Sequence, residues 1–192
     1  LTASAIVDDG TAGTTHFTRQ DIAAVLVPGQ IYTQSIFAKY NGGPLRYLGI
    51  QFGGDLGTFD PGGAVFDLVT GYAFISVPAL GAGSGVVAYG IQPLANGWYR
   101  CWVSATCILA ATPNVNRIYT MSLPNSTIHN GDGVSSVLMW GYNYSPLPVL
   151  TSYVRSVAAP VTRAQDIYSI PAMGAYFNPL AMTIDARFTY AI

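Results

Sequence analysis

Glutamate is absent from this chain of 192 residues, lysine occurs once, at Lys39, and charged residues make up only 9%. An average soluble protein carries roughly 25%, so much of this surface must be built from Ser, Thr, Asn, Gln, Tyr and backbone. The formal net charge of −1 excludes a general electrostatic attraction to nucleic acid or anionic lipid, since both need concentrated Lys and Arg. Mean hydropathy is +0.36, yet no run reaches the roughly 18 consecutive apolar residues of a membrane-spanning helix. Neither a nucleic-acid partner nor membrane insertion is expected.

Cysteine is nearly as scarce. Cys101 and Cys107 fall on one extended segment, where six residues span about 20 Å, far beyond the roughly 7 Å Cα limit of a disulfide. Reduced, buried thiols are expected, in keeping with folding in a reducing cytoplasm. The histidines, His16 and His129, are distant in sequence from each other and from the cysteines, so no zinc spacing arises. His129 lies in the polar stretch 125–133 and reads as a solvated loop histidine. The chain starts at Leu1 without methionine or a signal-peptide pattern, as expected of a processed or partial piece of a longer polypeptide.

What is present favours strands. Gly (21), Pro (12) and Tyr (13) are plentiful, while strong surface helix formers are missing. From Gln30 to Tyr40, Tyr32, Ile36, Ala38 and Tyr40 alternate with Thr33, Ser35 and Lys39, the period of a strand with one buried face. Similar segments follow at 45–52, 65–68, 72–77, 86–91, 98–109, 117–123 and 134–142, separated by Gly-, Pro- and Asn-rich punctuators. Many short strands at this spacing predict an all-β fold, an antiparallel β-sandwich or barrel. Met182, Ile184, Ala186, Phe188 and Tyr190 alternate with polar residues in a last strand. That strand needs a sheet to join, either in a following domain or on a neighbouring subunit.

Catalysis finds little support. Glycoside cleavage uses two carboxylic acids about 5–9.5 Å apart, and the acids here are nine aspartates, mostly beside turn residues where Asp bonds its own backbone. Neither histidine lies near a nucleophile elbow. No cofactor is expected. A structural calcium ion stays open, because the loop 54–60 carries Asp55 and Asp60, though without EF-hand spacing. Asp132 between Gly131 and Gly133 reads as a turn residue.

Aromatic residues carry the remaining chemistry, since an indole or phenol face packs against the C–H face of a sugar ring. Alternation after Asn96-Gly97 places Tyr99, Cys101, Val103 and Cys107 on a core side and Trp98, Arg100, Trp102, Ser104 and Thr106 opposite them. The second set reads as a ligand or subunit face, or as a pair of tryptophans packed under a loop. A second row runs Leu138, Trp140, Tyr142, Tyr144, and Arg46-Tyr47 follows a Gly-Gly-Pro turn.

Three strings stand out: Asn96-Gly97-Trp98-Tyr99-Arg100-Cys101, Gly131-Asp132-Gly133 leading into Val137-Leu138-Met139-Trp140-Gly141, and Thr151-Ser152-Tyr153 leading to Thr162-Arg163-Ala164-Gln165-Asp166. With the strand Ile31 to Lys39 and the segment Val65 to Gly71, they resemble the jelly-roll, carbohydrate-binding-like modules of bacteriophage tail fibres, head spikes and decoration proteins. Tyr142-Asn143-Tyr144 departs from the family, whose relatives continue with Ala-Gln and an acidic residue. The resemblance implies a jelly-roll domain over 1–168, with 169–192 as an arm or the start of a following β domain. It also implies a non-enzymatic module on the virion surface, folded in the bacterial host cytoplasm. Its partners would be other virion proteins, copies of itself, with a trimer favoured, and host surface polysaccharide. Candidate carbohydrate-binding residues are Trp98, Arg100, Trp102, Trp140, Tyr142, Arg46 and Tyr47, while Arg163 and Asp166 read as an interdomain fastening. A purely architectural module without sugar binding is the alternative, and a glycan depolymerase stands third.

Overall fold

The computed structural model describes residues 3–22, 25–53, 59, 62–75, 80, 85–110 and 114–155. The chain divides into two units, Leu1–Tyr153 and Val154–Ile192, and the fold described is that of the first. The expected boundary at 168, the strand from Met182 to Tyr190, the pair Arg163 and Asp166, and Asp55 and Asp60 lie outside the described residues.

The described elements are extended: β1 Ser4–Val7, β2 Thr14–Thr15, β3 Phe17–Ile22, β4 Ile31–Tyr40, β5 Tyr47–Phe52, β6 Gly62–Asp67, β7 Ala73–Phe74, β8 Val86–Pro93, β9 Trp98–Thr106, β10 Asn114–Met121, β11 Ile128–His129 and β12 Ser136–Ser145, with one 3-10 turn at Ala95–Gly97. Two five-stranded sheets form, in the orders β1-β12-β4-β9-β8 and β3-β10-β5-β6-β7, with a small β11-β2 ladder beside them. Each strand pairing is antiparallel. The result is the antiparallel β-sandwich of jelly-roll type that the sequence predicts. No helix among the described residues is long and apolar enough to cross a membrane.

Period-two alternation decides which side chains meet between the sheets. Tyr32, Ile36 and Ala38 of β4, Cys101, Val103 and Ala105 of β9, and Val137 and Met139 of β12 face Leu48, Ile50, Phe52, Ala64, Phe66 and Ile118 of the second sheet. Cys101 and Cys107 are free and buried, as expected. A smaller cluster of Val65, Leu80, Tyr119 and Met121, with Tyr47 against it, is separate from this core. The main core includes one polar bridge. Gln34 of β4 donates through Nε2 to Asn116 Oδ1 of β10 at 2.9 Å, and the Tyr142 hydroxyl donates to Gln34 Oε1 at 3.0 Å.

Two local devices shape the sheet that bears the candidate residues. Asn96 (φ 60°) and Gly97 (φ 74°) sit in the left-handed region, the Asn-Gly combination that closes tight hairpins, and this reverses β8 into β9. On β12, pairing with β4 slips by one residue between Trp140 and Asn143, and Gly141 adopts φ 63°. A glycine in that conformation is the mark of a β-bulge.

Candidate functional site

The bulge changes which aromatic residues face outward. Before it, Val137 and Met139 point into the core, which leaves Leu138 and Trp140 on the outer face. The extra residue resets the phase, so Tyr142 and Tyr144 pack against the core cluster instead. Strict alternation along Leu138, Trp140, Tyr142 and Tyr144 is therefore incorrect, and Tyr142 is not on the outward face. Burial pushes its phenol well above the ordinary range, and its hydroxyl serves the buried Gln34.

On the outer face, residues from the described parts of the three sequence strings meet. Trp140 of β12 stacks on Phe37 of β4 with ring centroids 4.1 Å apart and planes 8° from parallel. Trp98 of β9 meets Trp140 edge-to-face at 6.5 Å. Tyr153, from the segment after β12, sets its ring edgewise on Phe37 at 5.8 Å and on Trp140 at 5.5 Å. Arg100 lies over the Phe37 ring, 5.2 Å from its centroid, and donates to Ser35 Oγ and to the Thr151 carbonyl. Thr33 Oγ1 donates to the Leu147 carbonyl and Gln30 to the Pro146 carbonyl. These bonds tie the segment 146–153 across the sheet, covering the middle of the predicted platform.

Arg100 is consequently a clamp and no longer a free ligand group: it is buried, and burial lowers the pKa of its guanidinium. Of the expected surface, Trp98, Trp102 and Trp140 stay partly exposed. Trp102 lies over Gly90 of β8, where a Cβ would come within 2.8 Å of the indole Nε1, so the ring needs a neighbour without a side chain. Arg46 and Tyr47 are not brought to this face, because β5 belongs to the other sheet. Arg46 forms a two-pronged ion pair with Asp67 and stacks over the Tyr47 ring at 5.3 Å. Asp67 also accepts from the Val69 and Thr70 backbone N–H groups and the Thr70 hydroxyl, so the pair fastens the β6–β7 turn. Burial raises the Asp67 pKa, but these donors outweigh it and hold the carboxyl well below the usual range.

Asp132 is the expected turn residue. Its carboxylate accepts from the Ser135 hydroxyl and from the Ser135 and Val134 backbone N–H groups, which lower its pKa to about 2.

One constellation escapes the sequence altogether. His129 is not a solvated loop residue: its side chain is 5% exposed, and Nε2 lies 3.0 Å from Asp8 Oδ2. His16 Nδ1 lies 2.7 Å from the other Asp8 oxygen, and the two imidazoles lie with centroids 4.2 Å apart and planes tilted by 31°. The β2–β11 ladder makes this meeting, since His129 pairs with Thr14, two residues before His16. Strands of two residues leave no readable periodicity, so the sequence signal was only the presence of both histidines. Beside the cluster is a surface cavity of about 150 Å³ whose lining includes Asp8, Asp9, Thr15 and His16.

No family model matches the chain, and no curated protein matches it.

Proposed function

We propose that this domain is a non-enzymatic module of a bacteriophage virion surface, in a tail fibre, head spike or decoration, that holds host surface polysaccharide against Trp98 and Trp102. The observation that carries the reading is the outer face of the β1-β12-β4-β9-β8 sheet. It presents partly exposed indoles four residues apart on β9, about 13 Å along the strand, on a domain with little charge. Rings fixed from behind by a packed sheet suit sugar stacking, because little side-chain freedom is lost on binding. The clamp of Arg100, Phe37 and Tyr153 supports the platform from one side.

Four of the described aspartates are tuned away from acid catalysis. Asp9, Asp21, Asp67 and Asp132 are each held below the ordinary carboxylate range, whereas a glycosidase needs an acid with a raised pKa. A glycan array of bacterial capsular and lipopolysaccharide O-antigen saccharides tests the proposal. Binding that falls by about tenfold for Trp102→Ala supports it, at about 1.4 kcal/mol for the lost ring. An array without binding, together with unchanged host adsorption by the variant, removes it.

The architectural reading rests on a different observation. Tyr72 is 68% exposed, and Phe74, Val87 and Tyr89 on the edge strands β7 and β8 are exposed too. Such residues suit contact with other virion proteins or with copies of this chain in a trimer. Sedimentation of the whole chain discriminates: a monomer at all concentrations disfavours self-assembly.

A further inference from the structure

We infer that Asp8, His16 and His129 form a binding site for a first-row divalent metal ion, with zinc as the ion the donor set suits. Two imidazole nitrogens and a carboxylate are ligands that zinc takes readily. One ligand atom from each of the three residues lies within 4.8 Å of the others. In a tetrahedral site with bonds of about 2.0–2.1 Å, donors sit about 3.3 Å apart; Asp8 approaches His16 through Oδ1 at 2.7 Å and His129 through Oδ2 at 3.0 Å, so a bound ion would turn these side chains to bring one donor of each to that spacing. Asp9 Oδ1, 3.3 Å from His16 Nδ1, offers a fourth ligand. With it, two carboxylates balance the ion's charge.

Hydrogen bonding accounts for only part of the cluster: His129 Nε2 and Asp8 Oδ2 are hydrogen-bonded at 3.0 Å. Asp8 Oδ1 is buried without a hydrogen-bond partner although His16 Nδ1 is 2.7 Å away. The far nitrogen of His16, Nε2, lies 3.4 Å from Thr14 Oγ1, the type of outer partner that orients a metal-bound imidazole. Asp8 itself is held by its backbone N–H, which donates to the Ser135 carbonyl at 2.8 Å. The cavity lined by Asp8, Asp9 and His16 gives an entry path. A bound ion would join the start of the chain to the loop ahead of β12, adding to folding stability as structural zinc does.

The test uses the full chain, stripped with a chelator and titrated with zinc chloride in a calorimeter, with calcium chloride in a parallel arm. One equivalent of zinc is expected to bind and to raise the melting temperature, with calcium doing neither. His16→Ala and His129→Ala should each weaken zinc binding by more than about tenfold. Because either variant can unfold, cobalt(II) added to the unmutated protein provides a second readout, with visible absorption of four-coordinate type expected. Absence of zinc binding and of that absorption, or zinc binding unchanged in a folded histidine variant, overturns the inference.

Discussion

Tyr142 shows how much a single backbone angle decides. Gly141 at φ 63° turns the following side chain inward, where its hydroxyl meets the buried Gln34. Tyr142→Phe leaves Gln34 Oε1 without that donor and is expected to cost about 1–3 kcal/mol, read as a lower urea midpoint at unchanged slope. Gly141→Ala should cost a similar amount, about 1–3 kcal/mol for the left-handed conformation, before its Cβ meets Phe37 Cδ2 at 2.8 Å. A midpoint equal to that of the parent protein in both variants contradicts the bulge. The acids act at the same scale. Asp67 and Asp132 have depressed folded-state pKa values, so their contribution is present above the unfolded value near 3.9 and is lost as pH falls through the folded one. Acid unfolding is expected to set in between about pH 4 and 2, and Asp132→Asn should make that loss shallower.

At the scale of elements, strands with a buried face were the most readable, and several exposed or very short ones were missed. The alternation of Tyr32, Ile36 and Ala38 forecasts β4, and Cys101 with Val103 fixes the inner face of β9, because each such run pairs a buried side with a polar one. β1 (Ser4–Val7) and β3 (Phe17–Ile22) went unread: they are mostly exposed edge strands, whose polar residues carry no inward pattern. The candidate face was half legible. Alternation gave the outward direction of Trp98 and Trp102, but neither the bulge nor the covering segment follows from local pattern. That segment depends on Arg100, whose guanidinium reaches the Thr151 carbonyl. Arg100→Met keeps the apolar stem and removes the donor. Faster amide hydrogen exchange over 146–153, with the sandwich strands still protected, is expected, and unchanged exchange there argues against the clamp.

At the largest scale described, that of the first unit, the main core between two sheets governs what is reactive and what is available. Burial pushes the thiols of Cys101 and Cys107 upward, so neither should react with a thiol reagent until the protein unfolds, when both should. The polar surface makes binding depend on shape and ring faces, since charge is too sparse to steer a partner. The sandwich also separates the candidate residues: Trp98 and Trp102 stand on the outer face of one sheet, Arg46 and Tyr47 on the other sheet, and Tyr142 is partly buried against the core. Calorimetric titration of a polysaccharide selected on the array against three variants uses that separation. Binding should be lost in the Trp98→Ala, Trp102→Ala double variant and kept in Arg46→Ala and in Tyr142→Phe; full affinity in the double variant, with loss in either of the others, would contradict the placement of the site.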